Sequence, residues 1–168
     1  MVYPMAELIT HYLEISSEEE LNGCEDPGGI TVSKCLIKQF QFNRFLYQFI
    51  GEKWLWRDKN SWDDQMWADY VLNENLHTWV AYCEGSIAGY FELVQVGTEV
   101  EIVYFGLAAP FIGRGYGGYL LTEAIQSAFS LDRVERVWLH TCTLDHPHAL
   151  KNYLARGMKL YRSESEAA

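Results

Sequence analysis

The chain predicts an α+β domain: a mixed, mostly antiparallel central sheet flanked by helices. Three observations carry this. Three β-branched and aromatic runs between His77 and Leu107 are separated only by Glu84-Gly85 and by Gly97-Thr98, breaks so short that the runs must be antiparallel neighbours. Helical spacing of apolar residues occurs before and after this meander but not within it. The 168 residues, rich in aromatics, suffice for one substantial core, so residues 1–168 read as a single domain.

In chain order, Glu7 to Ile15 alternates as a strand and Ser16 to Glu20 reads as a polar turn or short helix. Asn22-Gly23 and Asp26-Pro27-Gly28-Gly29 mark a loop. Ile30 to Gln39 is a second strand. Phe42, Phe45, Leu46, Phe49 and Ile50 recur at helical spacing until Gly51 stops the helix. Ser61 is the expected N-cap of a second helix carrying Trp62, Met66, Trp67, Tyr70 and Val71. The meander follows as His77 to Cys83, Ile87 to Val96 and Glu99 to Leu107. A helix from about Gly117 to Phe129, a strand from Arg136 to Thr143, a helix from Asp145 to Arg156 capped at Asp145 or His146, and a strand from Met158 to Arg162 complete the order. The tail after Arg162 is expected to be disordered.

The formal charge of -10 argues against nucleic-acid binding, because a polyanion would be repelled before contact. No apolar run is long enough to span a bilayer and the N-terminus lacks a signal-peptide pattern, so no membrane association and a cytoplasmic location are expected. Cys24, Cys35, Cys83 and Cys142 have neither CxxC pairing nor zinc spacing and read as reduced thiols, with Cys142 closest to the expected site. His140, His146 and His148 span a strand end and a helix start without a metal-binding pattern, and no metal is expected.

The stretch from Val100 to Leu121 organises the rest. An apolar strand containing Glu101 breaks into the glycine-rich turn Gly113-Arg114-Gly115-Tyr116-Gly117-Gly118, and a helix begins at once. Glycines let a backbone approach a ligand, and the free amides of a first helical turn attract phosphate. Gly113-x-Gly115-x-x-Gly118 matches the dinucleotide fingerprint literally. Its setting after a tight meander, with no acid at the end of the next strand, makes an NAD(P)-binding oxidoreductase only a remote alternative. The lysine of a Walker sequence is also missing.

These residues resemble the GCN5-related N-acetyltransferase (GNAT) superfamily, whose pyrophosphate loop has the form Arg/Gln-x-x-Gly-x-Gly/Ala. Ile112-Gly113-Arg114-Gly115-Tyr116-Gly117 follows it except that Ile112 replaces Arg or Gln. A second match, His146 through Met158, is similar to the superfamily's Asn-x-x-Ala-x-x-x-Tyr-x-x-x-Gly-Phe segment, with His146 for Asn and Met158 for Phe. The resemblance covers roughly residues 30 to 162, with a motif core of about 76–162 and acceptor-side helices of about 41–75. It implies a GNAT-like fold, acetyl-CoA as co-substrate and a small-molecule or protein amine as acceptor, attacking in a ternary complex.

From that resemblance, Glu101 is the expected base and Tyr153 the acid for the departing thiolate. Coenzyme A contacts are expected from Phe105, Gly106 and Leu107, from Ile112, Gly113, Arg114, Gly115, Tyr116, Gly117 and Gly118, and from His146 and Asn152. Gly106 is consistent with close backbone approach to a ligand. Trp54, Trp56 and Tyr104 are expected on the acceptor pocket, together with others of the ring-rich front part, and Asp58, Asp63 or Asp64 would attract a cation. A non-catalytic acyl-CoA-binding module on the same scaffold is the alternative. An exposed strand edge and abundant aromatics admit a homodimer.

Overall fold

The computed structural model describes residues 7–54 and 56–166. Seven strands, β1 (Leu8–Ile15), β2 (Ile30–Lys34), β3 (Leu76–Cys83), β4 (Ser86–Val96), β5 (Glu99–Leu107), β6 (Arg136–Cys142) and β7 (Lys159–Glu166), form one sheet in the order β2-β3-β4-β5-β6-β1-β7. Only β5 and β6 are parallel neighbours; every other neighbouring pair is antiparallel. The helices are α1 (Phe40–Gly51), α2 (Asp64–Val71), α3 (Tyr116–Phe129) and α4 (Ala149–Ala155). None of the described helices is long and apolar enough to cross a membrane.

Strand alternation sorts the apolar residues into two cores. One face of the sheet places Phe91, Leu93, Val100, Ile102, Val137 and Leu139 against Leu120, Leu121 and Ile125 of α3, with Tyr153 and Met158. The other places Val80, Tyr90 and Tyr104 against Leu46, Tyr47 and Ile50 of α1 and Trp67 and Val71 of α2. Each fully buried large side chain contributes roughly 1.5–3 kcal/mol, so α1 and α2, short as they are, are held by what they cover.

Four boundaries differ from expectation, each for a local reason. β2 stops at Lys34, because the following Leu36 and Ile37 are each 82 % exposed and Lys38 turns its ammonium to the Leu76 carbonyl at 2.9 Å. The α2 N-cap is Asp63 rather than Ser61: its carboxylate accepts from the Met66 amide at 2.9 Å. α4 begins at Ala149 behind His148, which makes no side-chain capping bond, because Asp145 is committed to the end of β6, accepting from the Cys142 amide at 2.9 Å and from the Thr141 hydroxyl. The segment after Arg162 is ordered strand as far as Glu166. It pairs with β1, where His11 Nδ1 meets the Ser163 hydroxyl at 2.8 Å and Tyr12 donates to Glu164 at 3.1 Å.

Candidate active site

β5 and β6 pair at only three positions, Glu99 with Arg136, Val100 with Val137 and Glu101 with Trp138. Beyond Glu101 the two strands are unpaired, and a cavity of about 810 Å³ opens between them. Ile102 through Leu107 form one wall; Leu139, His140 and Cys142 belong to the other. The β4–β5 register shifts so that Val103 is the extra residue in β5, a bulge that re-aims the strand where the separation begins. The main-chain groups along this edge of β5 are left for a ligand to satisfy, as in strand addition.

At the far end of β5 the turn Ala109–Phe111 leads into Gly113 and Gly115, with φ of +81° and +84°. A side chain at either would meet nothing within 4 Å, so glycine is required there for its backbone conformation rather than for space. Gly115 is the N-cap of α3 and supplies no side-chain bond, so the amides of the first turn of this 14-residue helix stay uncapped. Asn152 Nδ2 donates to the Gly117 carbonyl at 3.1 Å and ties α4 to the start of α3. These features fit a phosphate-bearing ligand. Of the loop residues, Ile112, Gly113 and Gly117 line the cavity, whereas Arg114, Gly115, Tyr116 and Gly118 do not. Tyr116 packs on Phe111, and a side chain on Gly118 would fall 2.5 Å from Arg156 Nη1 and 2.8 Å from Cys24 Sγ.

Gly106 lines the cavity, but its missing side chain has a packing cause. A Cβ there would lie 2.7 Å from Ile50 Cγ2, so glycine admits α1. Tyr153 is buried on the cavity wall, edge-on to Phe105 with ring centroids 6.2 Å apart. Burial, with the charge of Asp145 second, holds its phenol well above the usual value. His146 also lines the cavity. Its ring meets Trp54 edge-on at 5.0 Å, so the loop before α4 touches the segment after α1 across the mouth.

Glu101 lies on the α1 side of the sheet but is not among the cavity-lining residues. Burial raises its carboxyl above the ordinary range, opposed by His140 and Lys59. His140 does line the wall, with Nε2 3.8 Å from Glu101 Oε1.

The third wall comes from the segment after α1. Trp54, Trp56, Arg57, Asp58 and Lys59 line the cavity with Tyr104, while Trp62 and Trp67 do not. Lys59 is nearly buried: its ammonium donates to Tyr104 Oη at 2.9 Å, pairs with Asp58 at 3.2 Å and sits over the rings of Trp62 and Tyr70 at 4.4 and 4.8 Å. Burial raises the Asp58 carboxyl, but the Tyr104 hydroxyl and Lys59 overcome it, so the net shift is downward. Beneath lies Glu92, fully buried, accepting from Tyr70 at 2.6 Å and Asn43 at 2.8 Å. None of the three acids expected to attract a cation is therefore free. Asp58 is neutralised by Lys59, Asp63 caps α2 and Asp64 is paired with Arg44. Sequence reasoning missed Arg57 and Lys59, and it weighed His140 only as a metal ligand. A lone lysine in a turn and a lone histidine in a strand carry no spacing signal. Among the described residues no group of three or more His, Cys, Asp or Glu is placed to hold a metal.

The model of the acetyltransferase (GNAT) family matches residues 42–158. No curated protein matches the chain. Among solved structures, the chain is similar to a GCN5-related N-acetyltransferase from Sphaerobacter thermophilus at 17% identity and a TM-score of 0.73, covering 95% of this chain and 50% of that one. It is similar to an aminoglycoside acetyltransferase from an uncultured soil metagenomic sample, solved with trehalose, at 16% identity and a TM-score of 0.62, covering 76% and 87%. A GNAT-family acetyltransferase from Streptococcus pneumoniae is similar at 20% identity and a TM-score of 0.56, covering 77% and 87%. The chain thus spans about half the length of the Sphaerobacter protein, and at these identities the likeness is one of fold.

Proposed function

The chain belongs to the acetyltransferase (GNAT) family, and from that premise we propose that it transfers an acetyl group from acetyl-CoA to a primary amine by direct attack. The observation that carries the reading is the separation of β5 from β6 after Glu101, with the uncapped α3 N-terminus at one end of the cavity and Tyr153 on its wall. Acetyl-CoA would supply the activated acyl group as a thioester. The edge of β5 from Val103 to Leu107 would hold its amide-bearing arm, and the main chain at Gly113 and Gly117 its phosphates. Ile112 takes nothing from this chemistry, which is that of main-chain amides and a helix dipole.

The Tyr153 phenol, held protonated by burial, would donate a hydrogen bond to the departing thiolate. A phenol with a raised pKa is a weaker acid than a thiol near 8.5, so it stabilises the leaving sulfur without transferring its proton outright. The acceptor would enter between Trp54, Trp56 and Tyr104.

Release of free CoA thiol, followed with an amino acid, a polyamine, a lysine peptide and an aminoglycoside as acceptors, tests the reading. The aminoglycoside belongs in the panel because one similar structure is an aminoglycoside acetyltransferase. Turnover with at least one amine is expected, together with thermal stabilisation by acetyl-CoA but not by NADH. Stabilisation by acetyl-CoA without turnover on any amine would favour the non-catalytic binding module instead.

A further inference from the structure

We infer that His140 is the group that takes the proton from the incoming amine, with Glu101 acting through it as a positioning residue. The inference rests on the transfer reading above and refines it. His140 lines the cavity with its side chain half exposed, whereas Glu101 is only 26% exposed and lines none of it. The two are brought together by the geometry that opens the cavity. Glu101 and Trp138 are the last ladder pair of β5 and β6, and His140 is two residues further on the same face of β6, where that strand is leaving β5.

The carboxylate and Nε2 are 3.8 Å apart, longer than a hydrogen bond, and the neutral ring is the form that can take a proton. The carboxylate favours a proton on Nε2 and leaves Nδ1 as the acceptor. The ring is held from the other side by Tyr12, its register partner on β1, at 5.8 Å between centroids.

An N–H bond of the substrate ammonium breaks and an N–H bond to His140 forms. The freed pair on the amine nitrogen attacks the thioester carbonyl, the C–S bond breaks and the sulfur leaves as thiolate. The thiolate takes a proton as the second amine proton is lost, so the net release to solvent is one proton. The other charged or titratable groups facing the pair are Lys59, whose charge reaches Glu101, Tyr12 with Arg162 stacked on it, and Asp58 with Tyr104 across the cavity. Lys59 is paired with Asp58 and its charge also reaches Glu101, whose carboxylate lies 3.8 Å from the ring nitrogen.

Two measurements test this. In a carboxyl-carbon NMR titration, His140→Gln should move the Glu101 midpoint to higher pH, because the imidazolium no longer stabilises the carboxylate. This reads the coupling in the protein without substrate. In steady-state kinetics with acetyl-CoA and the best amine of the panel, His140→Gln should lower kcat/KM by about 10²-fold or more and abolish its acidic limb. Glu101→Gln should retain that limb, with a smaller loss of rate. A Glu101 midpoint that does not respond to His140→Gln, or a pH profile unchanged by it, overturns the inference and leaves the transfer reading standing. No CoA release by the wild-type protein from any amine sinks the transfer reading, and the catalytic role of His140 with it.

Discussion

On the β5–α3 side the cavity is bounded by main chain: the unpaired edge of a strand, two glycines with positive φ and an uncapped helix end. On the side formed by Trp54 and residues 56–59 it is bounded by side chains, among them a nearly buried lysine that packs with three aromatic rings and pairs with Asp58, above the buried Glu92 and Asn43. The first wall depends on a few φ values rather than on the side chains beside them. The second depends on the identity of each group, because a buried polar network stabilises only when every member is partnered. The first therefore suits what a family has in common, and the second what distinguishes one acceptor from another.

The side-chain wall should be the more fragile. Asn43→Leu keeps the branched side-chain outline but removes the donor shared by Glu92 and Thr78, leaving the buried Glu92 with the Tyr70 hydrogen bond alone. A loss of about 2–4 kcal/mol is expected, or roughly 5–15 °C in Tm for a domain of this size. The increment in Tm on adding acetyl-CoA should remain, since the main-chain wall is untouched. Disappearance of that increment would mean that the two walls are not independent.

Tyr153→Phe tests the opposite wall at its one chemical side chain. A fall in kcat of about 10–100-fold with little change in the KM for acetyl-CoA is expected, the pattern of an interaction made at the transition state. A rise in KM at constant kcat would place Tyr153 in ground-state binding instead. Gly115→Ala should act more weakly. The added methyl meets nothing within 4 Å, so the cost is only that of a left-handed alanine, about 1 kcal/mol, and calorimetry should show acetyl-CoA affinity lowered about five-fold.

The same division decides what the sequence revealed. Main-chain features leave patterns: Gly113, Gly115 and the apolar run before them announced a strand, a turn and a helix N-terminus, and the meander followed from its two short breaks. Side-chain constellations joined across the fold leave none. Lys59 meets Tyr104 and Tyr70 only because α2 folds back over β5, and Glu101 meets His140 only because β6 runs parallel beside β5 before leaving it. The ordered segment after Arg162 was hidden for the same reason, since its partners are in β1 at the other end of the chain. Gly106 and Gly118 carry a packing cause that the sequence did not show. Each is glycine to admit a packed neighbour, Ile50 in one case and Arg156 with Cys24 in the other, and glycine in sequence does not say which side needs the space.

The smallest predicted effect is also the most specific to the side-chain wall. Burial raises the Glu92 carboxyl above its usual value, against the hydrogen bonds from Tyr70 and Asn43 and the charge of Lys59, with Asp58 adding to the rise. The folded state thus prefers this group protonated. Its contribution is fully present below the pKa of the unfolded chain and is lost as the pH rises through the higher folded value. Glu92→Gln is neutral at every pH and keeps the shape: its amide oxygen can accept from Asn43 while its amide nitrogen donates to Tyr70 Oη. Measured as Tm between about pH 4 and pH 8, the variant should gain on the wild type as the pH rises, by about a few degrees at the alkaline end. A difference that stays flat with pH would mean that Lys59 already compensates the Glu92 charge, and that the network beneath the side-chain wall is an ion pair rather than a buried acid with its donors.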